Sequence, residues 1–356
     1  MQTFKPSNRS TRYLITGGMG FIGSHLAETL LSRGHQVTII DNLSTGRFQN
    51  IEHLVNHPGF QFAVDNITSE VVIDRLVSEC DVIYHLAAAV GVKLVVENPV
   101  HTIETNVMGT EAILKAALRY RVKVLIASTS EVYGKGIRVP FVESDDCVLG
   151  PTSRSRWGYA ASKMTDEFLG LAYHRQKDLP IIIFRLFNTV GPRQTGHYGM
   201  VIPRLIAQAM HGEPLTVYGD GLQSRCFMHV HDVIEALITL ANCPEAVGQV
   251  FNLGSTEEIT IIDLARRVLD VVSAHRAEQS NGLVAGNGLM HKSVDDQIVF
   301  IPYAQAYTEG FEDMRRRVPD ISKIHQYIGW QPHRTLNDIL RDIVASFAVE
   351  KTVALA

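Results

Sequence analysis

"YLITGGMGFIGSHLAETLLSRGHQVTIIDN", residues 13–42, is the stretch on which the fold turns. It opens with apolar residues that do not alternate, as a strand buried on both faces requires. Gly17, Gly20 and Gly23 then fall three apart. Ile22, Leu26 and Leu30 recur at helical spacing with Ala27 and Leu31 beside them, and Gly34 is placed to stop the helix. "QVTIID" is a second strand, closed by Asp41. A glycine run between a buried strand and a helix is where a dinucleotide rests its pyrophosphate. The first glycine permits the tight turn, the second lets backbone approach the phosphates, and the third lets helix pack close on strand. The helix N-terminus meanwhile offers free N–H groups. A carboxylate at Asp41 accepts hydrogen bonds from the adenosine ribose hydroxyls and repels a 2′-phosphate, which favours NAD over NADP.

Outward from this stretch, "FQFAVDN", "DVIYHLA", "VKVLIAS" and "PIIIFRLFN" read as further fully buried strands. Helices are expected between them near 69–79, 99–119 and 158–176. Alternating strands and helices of this kind predict an α/β fold with a doubly wound parallel sheet. From about Asn188 the rhythm loosens. A Gly/Pro-bearing loop, a helix near 199–211 and the short strand "LTVYG" precede the helix "HVHDVIEALITLA" and a last main-sheet strand, "QVFNLG". Residues 275–297, polar and Gly-rich, read as a loop. The expected division is a dinucleotide-binding domain over 1–187, rejoined by 229–255, and a smaller lobe from 188–228 and 256–356.

Composition narrows the function classes. With 356 residues, 46% of them hydrophobic, the chain can bury a large core. A net charge of −4 gives no basic balance for nucleic acid. Cys80, Cys147, Cys226 and Cys243 are scattered without a CxxC, so no metal site or disulfide framework is expected, and a reducing, cytoplasmic compartment fits. "MQTFKPSNRS" has no apolar core of a signal peptide, and no apolar run reaches the ~18 residues of a membrane span.

A second constellation follows the glycines. "STSEVYG" (128–134) comes after a buried strand and "YAASK" (159–163) opens a helix. Tyr159 and Lys163, four apart, share one helical face. A neighbouring ammonium and a cationic nicotinamide favour the phenolate, so Tyr159 can take a hydroxyl proton while hydride leaves the same carbon.

These segments, with "HLAA" (85–88), "RLFNTVGPR" (185–193), "RCFMHVHDV" (225–233), "FNLGS" (251–255) and "RRRVPD" (315–320), occur in the order found in extended short-chain dehydrogenase/reductases of the nucleotide-sugar epimerase, dehydratase and decarboxylase group. The chain resembles that group from Arg12 to about Ile343. The resemblance implies a Rossmann-type fold with a smaller C-terminal substrate-binding lobe, and a nucleotide-sugar substrate. It implies Tyr159 as catalytic base, Lys163 as the ribose ligand that tunes it, and Thr129 as holder of the reacting hydroxyl. Phe21, Ile22, Asn42, Asp65, Asn66, Ile67, Leu86, Ala87 and Ala88 are the remaining expected cofactor contacts. The family's Asp-aliphatic pair at the adenine is here Asn66-Ile67, with Asp65 before it; an Asn carbonyl can still accept from the adenine amino group. Asn188, Arg193 and Arg225 resemble contacts to the sugar diphosphate and nucleotide, where a guanidinium forks onto phosphate oxygens.

Thr129-Ser130-Glu131 separates the reactions. Dehydratases of the group resemble Thr-Asp-Glu, and Ser130 removes the aspartate they use. Simple hexose 4-epimerases lack the glutamate, whereas Thr-Ser-Glu looks like UDP-glucuronate decarboxylases. Arg317 resembles an arginine those enzymes place near the uronate; Arg315 and Arg316 read as solvated. "RQTGHYGMVIPR" and "YGDGLQSRCF", in contrast, look most like bacterial nucleotide-sugar epimerases. The leading expectation is therefore an NAD-dependent 4-epimerase of UDP-glucuronate or a related UDP-hexose, with UDP-glucuronate decarboxylation as the alternative. A 4,6-dehydratase and a non-catalytic NAD-binding sensor stand further off, since Thr129, Tyr159 and Lys163 are all present. By resemblance the chain is expected to form a homodimer through a four-helix bundle. Ile103, Val107, Leu114 and Leu118 would form one apolar stripe of the first bundle helix, with Ile113 and Ala117 on its flank; the apolar surplus by itself equally fits a buried core helix.

Overall fold

The computed structural model describes residues 10–196, 200–279, 294–306 and 315–354. Strand β1 (Arg12–Thr16), helix α1 (Phe21–Ser32) and strand β2 (Gln36–Asp41) form where the apolar spacing predicts them. Gly34, at φ +81°, takes the left-handed conformation that ends α1. Next come β3 (Phe60–Val64), α2 (Glu70–Ser78), β4 (Val82–His85), α3 (Val92–Glu97), α4 (Pro99–Tyr120), β5 (Lys123–Thr129), α5 (Arg156–Lys177) and β6 (Ile181–Leu186). The looser second half holds β7 (Thr189–Val190), α6 (Val201–His211), β8 (Leu215–Tyr218), β9 (Ser224–Cys226), β10 (Met228–His229), α7 (Val230–Ala241) and β11 (Val250–Leu253). The chain continues through β12 (Glu258–Thr260), α8 (Ile261–Gln279), β13 (Ile298–Ile301), α9 (Tyr303–Ala306), α10 (Ser322–Ile328) and α11 (Leu336–Ala354).

The main sheet has seven parallel strands in the order β11-β6-β5-β4-β1-β2-β3, the Rossmann-type arrangement expected. The chain winds one way from β1 to β3 and then returns to β4 on the other side of β1. Thr16 ends level with Ile40 and His85 at this switch, and the crevice there is where α/β sheets bind ligands. Both sheet faces are covered. Ile15, Leu26 and Leu30 pack with Val233 and Leu237 of α7 on one side, and Leu14, Ile113, Leu114 and Ile183 pack on the other. A separate core joins α6, α8, α11 and β8 through Leu205, Val217, Leu264 and Leu340. No helix among the described residues is long and apolar enough to cross a membrane.

Three expectations need correction. β3 is not fully buried: it is the sheet's edge strand, and Phe62 and Val64 are exposed. Apolar composition marks a strand but does not say whether a neighbour covers it. α8 runs on to Gln279, so residues 275–279 of the expected loop are helix; residues 280–293 lie outside the described residues. The apolar stripe of α4 is split, because Leu114 is fully buried in this chain's own core while Ile103 is 43% exposed.

Candidate active site

Each glycine of the opening run has a distinct physical reason. Gly17 stands at φ +70°, and a Cβ there would lie 3.0 Å from the backbone of Ala87. A Cβ on Gly23 would lie 2.3 Å from the Gly17 carbonyl, so helix and turn can meet only over a glycine. Gly20 caps α1 without a side-chain hydrogen bond, which leaves the first-turn N–H groups for an anion. The Asp41 carboxylate accepts from Leu43 N–H at 2.8 Å and Met19 N–H at 3.0 Å. Burial pushes its carboxyl up more than these backbone N–H groups and that of Gly20 pull it down. Uncapped N–H groups, a glycine cradle and a buried acid at the end of β2 fit a dinucleotide.

The walls of a cavity of about 520 Å³ hold every residue singled out in the sequence for cofactor, substrate or chemistry. Phe21, Ile22, Asn42, Asp65, Asn66, Ile67 and Leu86 to Ala88 line its cofactor side. The Asn66 carbonyl already accepts from the Thr68 N–H (3.1 Å) and hydroxyl (3.0 Å), so this turn holds itself. Asn188 donates to the Cys226 carbonyl at 2.9 Å. Arg225, 8% exposed, donates to the Ser224 carbonyl at 2.7 Å. Arg193 is the outlier among the arginines. Its guanidinium turns onto α1, pairing with Glu28 at 2.6 Å and reaching the Ser24 hydroxyl at 3.4 Å.

Beyond the end of β5, two guanidiniums converge on Glu131. Arg317 reaches Oε1 at 2.6 Å and Arg156 reaches Oε2 at 3.3 Å. Arg317 also lies 3.5 Å from the Ser130 hydroxyl. Burial pushes the Glu131 carboxyl up, but Arg317 and Arg156 outweigh it and hold it below the usual range. Glu131 is therefore an anion near neutral pH. Arg316 pairs instead with exposed Glu258 at 2.7 Å, and Arg315 is exposed.

Tyr159 shows the opposite balance. Burial pushes its phenol up, Glu131 reinforces this, the Thr129 hydroxyl bonds to it and opposes, Asp166 raises it again and Arg317 lowers it. The net direction in the protein alone is upward; the expected depression counts also on a cationic nicotinamide beside the phenol. Lys163 pairs with Asp166, 2.7 Å away. Behind them Thr16 bonds to His85 at 2.9 Å, and the other His85 nitrogen to Thr110 at 3.0 Å. Burial, with Lys163 nearby, holds His85 down to about 3, so the ring is neutral.

Arg156 and Asp166 escaped the reading by motif. Helical arithmetic could have found both, since they stand three before Tyr159 and three after Lys163 on the same face of α5. Among the described residues no group of His, Cys, Asp and Glu could hold a metal ion.

A family model described as GDP-mannose 4,6 dehydratase matches residues 14–343. A UDP-N-acetyl-alpha-D-glucosaminuronate decarboxylase of Bacillus cytotoxicus is 42% identical over 94% of this chain and 97% of its own. UDP-glucuronic acid decarboxylase 1 of Danio rerio is 34% identical over 95% of this chain and 73% of its own. Among solved structures, a dTDP-glucose 4,6-dehydratase of Bacillus anthracis in complex with NAD aligns with TM-score 0.79 at 25% identity, over 96% of this chain and 98% of that one. A dTDP-glucose 4,6-dehydratase of Streptomyces venezuelae, solved with NAD bound, aligns with TM-score 0.80 at 27% identity, in keeping with the NAD expected from the glycine run and Asp41. The expected 4-epimerase is overturned: the full-length relatives at the higher identities are decarboxylases, whereas epimerase structures align at 26–27% identity.

Proposed function

We propose, for a chain that belongs to the family described as GDP-mannose 4,6 dehydratase, that the reaction is decarboxylation of a UDP-hexuronic acid to a UDP-pentose and CO₂. The observation that carries this reading is the convergence of Arg317 and Arg156 on Glu131 beside Tyr159. A uronate carboxylate entering the cavity meets two guanidiniums built for carboxylate oxygens and one fixed anion that repels it. Binding and repulsion in one place favour a substrate that sheds its charge as neutral CO₂.

NAD, when bound, accepts the C4 hydride of the sugar and returns it at the end of the turnover. This chain's residues do the rest. Thr129 and Tyr159 hold the 4-hydroxyl, and Tyr159 takes its proton. Making the phenolate is left to the positive ring of the cofactor, since the protein alone pushes this phenol up. Lys163 binds the nicotinamide ribose. The 4-keto group then stands β to the C6 carboxylate, whose C5–C6 electron pair passes into the ketone as an enolate when CO₂ leaves. C5 takes up one proton from solvent in place of the CO₂, C4 regains its hydride, and Tyr159 returns its proton to the 4-oxygen, which restores the hydroxyl. Asn188 and Arg225 hold the UDP moiety. Gly17, Gly20, Gly23 and Asp41, with the remaining residues of the cofactor side, seat NAD.

Two substrates belong to this reading, UDP-glucuronate and its 2-acetamido counterpart; the 42% relative favours the second. Incubating the purified protein with each, and following CO₂ and product mass, tests it. Loss of CO₂ from either supports decarboxylation. A UDP-hexuronate product without CO₂ sinks it.

The reading extends to a homodimer. Ile103 and Met108 of α4 and Phe168 of α5 are exposed large apolar side chains, and a four-helix bundle with a second copy would cover them. It also extends to a reducing, cytoplasmic setting, which suits the four free cysteines; fractionation of cells expressing the tagged chain tests the location.

A further inference from the structure

We infer that Asp166 is the positioning residue of Lys163: it grips the ammonium from behind the cavity wall and fixes where the remaining N–H donors point. This rests on the reading of Lys163 as the ribose ligand. Tyr159, Lys163, Asp166 and Gly170 follow one another along a single face of α5, at spacings of four, three and four. Lys163 lines the cavity, whereas Asp166 is fully buried and does not reach it. The contact is 2.7 Å from Lys163 Nζ to Asp166 Oδ2, between side chains 3% and 0% exposed. An ammonium has three donors, so one is committed to Asp166 and two are left for a ligand.

The surroundings leave Asp166 to this task. Its other oxygen, Oδ1, has no well-aligned hydrogen bond; burial pushes the Asp166 carboxyl up, and Lys163 first and Thr110 after it oppose the rise without cancelling it. Glu167, next in the chain, is taken up by a two-pronged contact with Arg185 at 2.7 and 2.9 Å. His85 is neutral and occupied by two threonine hydroxyls, so it supplies no counter-charge. A side chain buried between α5 and the sheet is ordinarily apolar, and replacing a buried ion pair by apolar residues often costs nothing in stability. A carboxylate at this position is therefore explained by what it does for Lys163. It holds a flexible four-carbon stem in one rotamer and gives the buried head group an ion-pair partner at 2.7 Å.

Affinity for NAD separates positioning from mere packing. In titration calorimetry on dialysed protein, Asp166→Asn, which keeps the shape and removes the charge, is expected to weaken NAD about ten-fold or more. In a Lys163→Met background the same change is expected to cost less than about two-fold, because its effect passes through the lysine. Asp166→Glu is expected to recover much of the lost affinity in the parent chain. Melting curves of all variants verify folding, and the double variant carries no unpaired buried charge. Equal losses from Asp166→Asn in both backgrounds, or no loss in either, overturn the inference. Parent-like NAD affinity in Lys163→Met overturns it too, by removing Lys163 from the cofactor. Failure to decarboxylate any UDP-uronate while the coupling persists sinks the proposed reaction alone.

Discussion

Glu131 is held at 2.6 Å by one guanidinium and at 3.3 Å by another, and the proposed reaction rests on this residue-scale arrangement. Arg317→Ala leaves Glu131 with the longer contact and removes one fork from the incoming carboxylate. Its kcat/KM for UDP-uronates is expected to fall at least about 100-fold, close to the charge-assisted hydrogen bonds lost. NAD affinity is expected to hold; steady-state kinetics and calorimetry measure the two. Tyr159→Phe removes only the proton carrier, and turnover is expected to drop by about 10²- to 10⁴-fold with the melting temperature kept. Full turnover in that variant would end the assignment of Tyr159. At this scale the sequence showed which residue types were present in order, Thr129, Ser130, Glu131, Tyr159 and Lys163. It did not show their partners. Arg317 stands 186 positions from Glu131, and no periodicity connects them. Arg193 shows the converse, a guanidinium with the right motif that turns onto Glu28.

At the scale of elements, the turn from β1 into α1 was readable because its glycines answer local demands. Gly17 needs a positive φ, and Gly23 needs room that only a missing Cβ provides. Gly23→Ala places a methyl 2.3 Å from a backbone oxygen that cannot swing aside, so α1 must lift from the turn. Stability is expected to drop by about 1–3 kcal/mol, as in other overpacked sites, and NAD affinity with it. Gly20→Ala meets one backbone atom at 3.1 Å, and its loss of stability is expected to be smaller. Chemical denaturation of the two variants ranks them; an equal effect would contradict the steric account. Helix α5 was legible as a helix, but its working face was read only as far as Tyr159 and Lys163. Strand β3 was legible as a strand and misread as a central one, since an edge is defined by what does not pair with it.

For the whole molecule, buried histidines predict how stability follows pH. Burial holds His25 and His229 down to about 4 and His85 to about 3. In the unfolded chain these rings take a proton near pH ~6.5. Between that value and the folded ones the unfolded state binds more protons, so stability falls as pH falls, by up to about 1.4 kcal/mol per unit of depression for each ring. The melting temperature is expected to decline as pH drops from about 7 to 4, and less steeply in a His229→Gln variant. A flat profile would mean that the rings are wetter than their packing suggests. The proposed dimer predicts a light-scattering mass twice 39.5 kDa, and a monomer for Phe168→Glu, which puts a charge on the exposed face of α5.

The sequence by itself determined the doubly wound sheet and the glycine cradle of the cofactor. It also gave the order of the residues proposed for proton transfer, Thr129, Tyr159 and Lys163. All of these depend on neighbours within one or two elements, where the periods of strand and helix and the steric needs of a turn are written locally. The tertiary structure decided what touches what across elements: Arg317 and Arg156 on Glu131, Arg193 on α1, and β3 at an open edge. The Arg317 contact follows from how the C-terminal part folds back beyond the end of β5. Contacts of this kind set charge, because an ionised group in a buried site answers to its nearest counter-charge whatever its place in the chain.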